Sequence, residues 1–455
     1  MRRRTTGLAL LSLAAALTVA GCATGATGAT ASSSSADGLA PELDPNQKVD
    51  IVFESYNLTQ AGPWTDTVTG LIADFEAEHP NISVKAQPPQ GTSTAGSGTA
   101  SSVQTQLLAG NPPDVAQLTF DTLDFAVNQL GAHSLDSLVG TDTVQEHLAG
   151  AHPYHPRAAT LGDWEGQTYG MPYVFSTPVL FYNASVFQKA GLPADTDLST
   201  WPKVADAAKK ITASTGKPAL TVSCAVKGGN WCMQGLFRSA GGNVLSDDRD
   251  SVEFASDDSL AAVQMLRDLY DQGVLANQDS AGQMESFMKG DTAIQLQSSA
   301  IQGMLLGASK AAGWELKAAA MPAFDGREAV PTNSGSALFV FAQDPAKQRA
   351  AWELITFMTS DHAYTEISSK IGYLPLRTSL TTDPAALKSW ADGNPLLAPN
   401  LKQLDRLEPW QSYPGNSYVQ IDDILATAVE ESVFYGKDPA TTMAAAQKRA
   451  QDLIG

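Results

Sequence analysis

The chain reads as an α/β protein on three observations. A strand-like run, an amphipathic helical run and a second strand-like run follow one another from Val49 to Val84. Helical patterns and short apolar runs then alternate to the C-terminus. With 43% hydrophobic and 17% charged residues over 455 positions, the composition can bury a large core, which excludes a disordered chain or a miniature disulfide scaffold.

The elements are justified in order. Val49-Asp50-Ile51-Val52-Phe53 alternates apolar and polar residues, the period of a half-buried strand. Val68, Leu71, Ile72 and Phe75 recur at helical spacing until His79-Pro80 stops the pattern, and Ile82-Ser83-Val84 alternates again. Strand, helix and strand of this length form a βαβ unit, whose crossover makes the two strands parallel. A helix ends near Leu108, and Val115 to Leu118 reads as a buried strand with a polar tip at Thr119, Phe120 and Asp121. Ligands of open α/β sheets collect at such tips. From Met171 to Asn183 the chain is apolar and β-prone, but Pro172 and Pro178 argue against a central strand and for a crossing between lobes. Helices are expected from Trp201 to Ala213, through Leu260 to Tyr270, through Ala351 to Met358 and through Ile421 to Ala428, with a strand over Ser336 to Phe341.

The N-terminus sets the compartment. Arg2, Arg3 and Arg4 precede an uncharged run from Gly7 to Ala20, too short for a helix that must cross roughly 30 Å of hydrocarbon, so residues 1–21 read as a secretion signal. The run ends Leu17-Thr18-Val19-Ala20-Gly21-Cys22, which resembles the lipobox of bacterial lipoproteins and implies cleavage before Cys22 and acylation of that residue. Residues 22–46 are then a flexible tether, rich at first in Ala, Thr, Gly and Ser. Membrane attachment is expected through this anchor alone. Cys224 and Cys232 remain, eight positions apart around Lys227-Gly228-Gly229-Asn230; outside the cytoplasm the pair suggests a disulfide, with two buried thiols as the alternative.

A net charge of −19 repels phosphate backbones and anionic lipid, so nucleic acid is not an expected partner. Serine-hydrolase elbows, phosphate loops, metal helices and dinucleotide fingerprints are all missing from the sequence. His147, His152 and His155 are interleaved with prolines and read as a solvated loop rather than a metal site, and Asp247-Asp248-Arg249-Asp250 as a polar turn rather than a calcium loop. No metal and no cofactor is expected. What the chain offers instead is aromatic residues beside small polar ones in turns: Trp231 after Gly-Gly-Asn, Tyr373 in Ile-Gly-Tyr-Leu-Pro, and Trp410, Gln411 and Tyr413 in Glu-Pro-Trp-Gln-Ser-Tyr-Pro-Gly. A flat ring stacks the C–H face of a sugar while Ser, Asn, Gln and Asp satisfy its hydroxyls.

Several ordered motifs resemble the extracellular solute-binding proteins of ABC importers, in the branch of glycerol-3-phosphate and sugar binders. They are Met171-Pro172 with Ser176-Thr177-Pro178-Val179-Leu180 and Tyr182-Asn183, then Lys189-Ala190-Gly191-Leu192-Pro193 with Thr200-Trp201, Phe287-Met288-Lys289-Gly290-Asp291-Thr292-Ala293, Gly372-Tyr373-Leu374-Pro375-Leu376-Arg377, and Gly436-Lys437 with Pro439. The resemblance implies a two-lobed periplasmic-binding-protein-like fold with a hinge and an interlobe cleft, and a monomeric receptor that hands its ligand to permease subunits. It assigns residues 47–177 and 325–370 to the N-terminal lobe and 178–324 and 371–455 to the C-terminal lobe. By matching motif, the ligand contacts would be Phe120, Asp121, Ser176, Thr177, Trp231, Ser298, Ser299, Ser334, Gly335 and Tyr373, with Trp410 and Tyr413 added from the aromatic turn. One departure matters: Tyr413-Pro414-Gly415-Asn416 stands where glycerol-phosphate binders resemble Arg-Leu-Gly-Asn, and an aromatic ring cannot neutralise a phosphate. The expectation is therefore a neutral mono- or oligosaccharide, with a glycerophosphodiester or glycerol phosphate as the alternative and a secreted carbohydrate-active enzyme as the rival class.

Overall fold

A computed structural model of the chain describes residues 38–91 and 96–454. The signal segment, Cys22 and the first part of the expected tether lie outside the described residues. Among those described, no helix is long and apolar enough to cross a membrane.

Eleven strands are described: β1 Val49–Glu54, β2 Ile82–Gln87, β3 Val115–Thr119, β4 Asp163–Trp164, β5 Gln167–Thr168, β6 Gly170–Ser176, β7 Pro178–Asn183, β8 Leu220–Val222, β9 Ile294–Ser298, β10 Leu316–Ala320 and β11 Ser334–Val340. They form a five-stranded sheet in the order β2-β1-β3-β11-β6, a four-stranded sheet in the order β10-β7-β9-β8, and the small β4-β5 hairpin. The expected βαβ unit is present: β1 and β2 pair in parallel from Val49 with Ile82 to Glu54 with Gln87. The helix Pro63–Glu78 between them carries its proline in the first turn and buries Val68, Leu71, Ile72 and Phe75, the stripe that its spacing predicts. Each such side chain contributes roughly 1.5–3 kcal/mol by leaving water.

The Met171–Asn183 run resolves into two strands, one in each sheet, with Thr177 between them. Both prolines are accommodated where no ladder donor is required. Pro172 lies on the edge strand β6, beside a register shift against Ser336 and Ala337 of β11, and Pro178 is the first residue of β7. Contrary to the expectation from its prolines, the segment does supply a central strand: with Pro178 at its first position, β7 lies inside its sheet, between β10 and β9. Gly335 sits at φ +117° in the β11–β6 ladder, and a Cβ there would come within 2.1 Å of the Val174 carbonyl oxygen, so only glycine fits.

Three stretches depart from expectation. Residues at the end of the expected tether are packed down: the Ala40 N–H donates to the Leu138 carbonyl at 2.8 Å, and Leu43 lies against the core. The lobe boundaries also shift. Val330 N–H still donates to Ser239 Oγ at 2.9 Å, so the return to the first sheet comes near Thr332 rather than at residue 325. Arg377 donates to the carbonyls of Thr359, His152 and His147 at 3.2, 2.6 and 2.8 Å, which places it with the first sheet's layer rather than the second's. The histidine segment, finally, is not a solvated loop. His147 Nε2 bonds Thr359 Oγ1 at 2.8 Å, and His152 lies between Asp361 at 2.7 Å and Asp383 at 3.3 Å. Among the described residues no cluster of His, Cys, Asp and Glu is arranged to hold a metal.

Candidate functional site

The C-terminal tips of β3 and β9 and the crossing between β6 and β7 open onto one cavity of about 250 Å³ between the two sheets. Its first-sheet side carries Tyr56, Gln60, Trp64, Thr119, Asp121, Ser334, Gly335 and Tyr373. Facing them are Gly228, Trp231, Ser298, Ala300, Ile301, Trp410, Tyr418 and Asp422, with Ser176 at the crossing.

Each wall is positioned by local chemistry. Tyr56 follows β1 in a short 3-10 turn capped by Ser55, and its hydroxyl donates to Ser336 Oγ at 3.2 Å. Ser336 Oγ also accepts from Gln117 Nε2 at 2.8 Å, and Ser55 Oγ donates to Gln117 Oε1, so a buried polar chain links β1, β3 and β11 beneath the cavity floor. Trp64 meets the Tyr373 ring edge-on at 5.0 Å and 84°, which fixes both rings. Trp231 sits in the 3-10 turn Asn230–Cys232, whose sulfur is bonded to Cys224. A Cβ on Gly229 would come within 2.0 Å of the Ser223 carbonyl oxygen, so this loop doubles back too tightly for any other residue. Trp410 is held by its backbone N–H, which donates to Asn333 Oδ1 at 2.9 Å, while Gln234 bonds both the N–H and the carbonyl of Gln411 at 2.8 and 3.0 Å.

Asp121 lies in the 3-10 turn Phe120–Thr122 after β3 and is only 2% exposed. Its Oδ1 has no hydrogen-bond partner within the chain. Burial pushes its carboxyl up to about 7, and the negative charge of Asp422 adds to the shift. Tyr413 and Tyr373 are raised well above the ordinary phenol value, also mainly by burial, so both are neutral hydroxyls. Trp164, Arg249 and Asp124 line a separate, shallower pocket. Arg249 donates to Asp124 Oδ2 and to the Ser412 carbonyl at 2.9 Å, and stacks over the Trp164 ring at 4.8 Å from its centroid. This contact joins the turn Ser246–Ser251 to the helix that follows β3, across the cleft.

Of the residues singled out from sequence, the structure brings Asp121, Ser176, Trp231, Ser298, Ser334, Gly335, Tyr373 and Trp410 to the cavity. Four others do not line it. Phe120 is a buried core side chain, because the 3-10 turn presents its neighbour instead. Thr177 is fully buried in the crossing: its hydroxyl donates to Asn400 Oδ1 at 3.0 Å and accepts from Gln403 Nε2 at 2.7 Å. Ser299 supports it, its hydroxyl accepting the Thr177 N–H at 3.1 Å. Gln403 further binds the Pro178 carbonyl at 2.9 Å and the Met321 N–H at 3.0 Å, tying two intersheet segments together. Tyr413 is 1% exposed within the core. Thr119, read from sequence as part of the polar strand tip, lines the cavity too; sequence reasoning missed Tyr56, Trp64, Tyr418 and Asp422. Trp64 and Tyr56 carried a signal, since aromatics flank the turn after β1. Asp422 carried none, because it reads as a polar position on the helix Tyr418–Phe434.

Comparison with known proteins agrees with this architecture. A family model described as bacterial extracellular solute-binding protein matches residues 70–395. The sn-glycerol-3-phosphate-binding periplasmic protein UgpB of Agrobacterium fabrum is 25% identical over 422 residues, covering 89% of this chain and 85% of that protein. Among solved structures, UgpB of Mycobacterium tuberculosis in complex with glycerophosphocholine superposes with a TM-score of 0.75 at 22% identity, covering 89% of this chain and 98% of that one. The cyclic alpha-maltosyl-1,6-maltose binding protein of Arthrobacter globiformis does so with a TM-score of 0.73 at 20% identity, covering 90% and 99%. The fold is thus the two-lobed one of periplasmic sugar-binding proteins, and the chain belongs to the family of bacterial extracellular solute-binding proteins.

Proposed function

We propose that this protein is the lipid-anchored receptor of an ABC importer, which captures a mono- or oligosaccharide outside the cell and delivers it intact to permease subunits. The observation that carries this reading is the single cavity where Trp64, Trp231, Tyr373 and Trp410 surround a rim of Asp121, Ser176, Ser298 and Ser334. Rings cover the apolar faces of a pyranose and the short polar groups meet its hydroxyls. Because the walls come from both sheets, ligand that touches both favours the closed arrangement over an open one, and the crossings at Ser176–Pro178 and Thr332–Ser334 supply the hinge.

A glycerophosphodiester is the alternative, supported by the relatives that bind glycerol-3-phosphate and glycerophosphocholine. Against it stands the lining: among the described residues no Lys, Arg or His reaches the cavity to pair with a phosphate. Asp121 and Asp422 on opposite walls favour, as a second reading, a glycosidase using two carboxylates. Incubating the purified protein with neutral sugars and glycerophosphodiesters separates these readings. Ligand recovered unchanged, with a raised melting temperature, supports the receptor; hydrolysis of any of them refutes it. At a ligand concentration about 100 times the dissociation constant, binding adds roughly 2.7 kcal/mol of stability. The anchor is tested separately: Cys22→Ala is expected to move the protein from the membrane fraction to the medium or soluble fraction, and persistent membrane attachment would refute the lipobox.

A further inference from the structure

The loop that carries Trp231 is closed by a covalent tie. Between the end of β8 at Val222 and the helix Met233–Ala240 the chain makes two 3-10 turns, Ser223–Ala225 and Asn230–Cys232. Gly228 and Trp231 of this loop line the cavity. The backbone bonds described within it are local: the Val226 N–H donates to the Ser223 carbonyl at 3.4 Å and the Gly229 N–H to the Val226 carbonyl at 3.0 Å. Turns of that kind fix the chain over a few residues and do not set where the end of the loop lies relative to its start. The Cys224–Cys232 disulfide does, joining the first turn to the last with the Cα atoms 5.2 Å apart and both side chains buried. Lys227 of the same loop pairs with Asp423 at 3.0 Å, but both side chains are exposed, and such a pair contributes little.

Trp231 is the neighbour of one cross-linked residue, and the other follows β8, which pairs in parallel with β9 from Leu220 with Ile294 to Val222 with Leu296. β9 ends at Ser298, a polar group of the cavity rim. The disulfide therefore ties the indole to the strand beside the one that presents this serine. A ring on a free loop would have to be ordered by the solute itself, and that ordering opposes binding. We propose that the Cys224–Cys232 disulfide is a positioning element of the solute site, holding the Trp231 ring in register with Ser298. This rests on the receptor reading above and deepens it: Trp231 makes the contact, and the disulfide sets its place. Gly229 belongs to the same device, because a Cβ there would come within 2.0 Å of the Ser223 carbonyl oxygen and force the loop away from β8.

The test is a double-mutant cycle on the full mature protein, read by calorimetric titration with glucose, maltose, cellobiose and glycerophosphoglycerol. Alanine replaces both cysteines, since serine would bury unpaired hydroxyls. For each probe that binds the wild type, Cys224→Ala with Cys232→Ala is expected to weaken binding about tenfold or more, whereas in the Trp231→Ala background the same pair should change affinity less than about threefold. In the ligand-free alanine variant, hydrogen exchange of the amides from Ser223 to Cys232 should accelerate about tenfold or more, with exchange in β11 unchanged. Wild-type affinity in the folded alanine variant, or an equal loss with and without Trp231, would overturn the positioning role and leave the receptor reading standing. Circular dichroism checks folding. Where the alanine variant does not fold, Gly229→Ala decides, because it keeps both cysteines: a loss of about threefold or more that disappears in Trp231→Ala is expected, and wild-type affinity would overturn the proposal. Binding of none of the four probes by the wild type would refute both readings.

Discussion

Asp121 can be tested without knowing the ligand, through the stability of the empty protein. Its carboxyl titrates near 7 in the folded state against an ordinary value of 3.8, because burial disfavours the charged form and Asp422 adds repulsion. The folded state therefore holds a proton that the unfolded state has already released between these two values. Stability from this group is fully present below about 3.8, declines as pH rises towards 7, and is absent above it. The separation corresponds to a penalty of about 4 kcal/mol at pH 8, as a ceiling, since opening of the cleft rehydrates the carboxylate. Asp121→Asn keeps the shape and removes the charge, so it should stabilise the ligand-free protein at pH 8 by about 2–4 kcal/mol. With an unfolding entropy near 1 kcal/mol per kelvin for a chain of this size, the melting temperature should rise by roughly 2–4 °C. Differential scanning calorimetry at pH 8 and pH 5 checks this, and the gain should be much smaller at pH 5, where the wild-type carboxyl is protonated. Equal melting temperatures at pH 8, or a gain that does not shrink in acid, would refute the claim that Asp121 is buried as an uncompensated charge.

Other perturbations separate the parts of the site. Trp231→Ala should weaken binding of the cognate solute more than tenfold by titration, while the disulfide-pinned loop keeps the unliganded fold stable. Arg249→Gln removes the contact with Asp124 and Trp164 that bridges the cleft; affinity should fall about three- to tenfold, with a larger radius of gyration for the ligand-free protein by small-angle scattering. His147 is held down to about 4 by burial and by the nearby Arg377 charge, so its contribution is complete above about 6.5 and is lost as pH falls towards 4. His147→Gln should therefore flatten the acid limb of the stability profile in urea titrations between pH 4 and pH 6.5.

How much of this was legible in the sequence depended on the range of the information. The βαβ unit was readable because Val68, Leu71, Ile72 and Phe75 declare their buried face within one helix, and β1 and β2 flank it directly. Ser298 and Ser334 were found through motif resemblance, and the structure brings them to one cavity. Thr177 and Ser299 failed for a reason sequence cannot show: the Ser299 hydroxyl accepts the Thr177 backbone N–H, and the Thr177 hydroxyl is taken by Asn400 and Gln403, partners more than a hundred residues away in each case. Asp422 failed for the opposite reason. Its helix is amphipathic, with Ile421, Ile424 and Leu425 buried, and nothing in that period distinguishes a cleft-facing aspartate from a solvated one. Short-range pattern specifies elements; which side chains meet across the hinge is set by packing of distant segments.

The unpaired polar atoms bear on why the receptor should wait for its solute. Besides Asp121 Oδ1, the hydroxyls of Ser412, Tyr413 and Tyr418, with Gln411 Oε1 and Asn333 Nδ2, are buried without partners within the chain, Tyr418 in the cavity wall and the others in segments that adjoin Trp410 and Ser334. A buried group of this kind costs about 1–3 kcal/mol when nothing pairs with it. Opposing that cost, the Arg249–Asp124 contact and the packing of Phe125 against Tyr418 at 6.3 Å hold the two sides together. These terms have opposite signs, so rehydration of the unpaired groups favours an open cleft while the two contacts oppose it. A solute that pairs with even two of the unsatisfied groups shifts the balance by several kcal/mol towards closure, enough to convert a minor state into the dominant one. The closed surface that a permease would meet then depends on ligand already being inside.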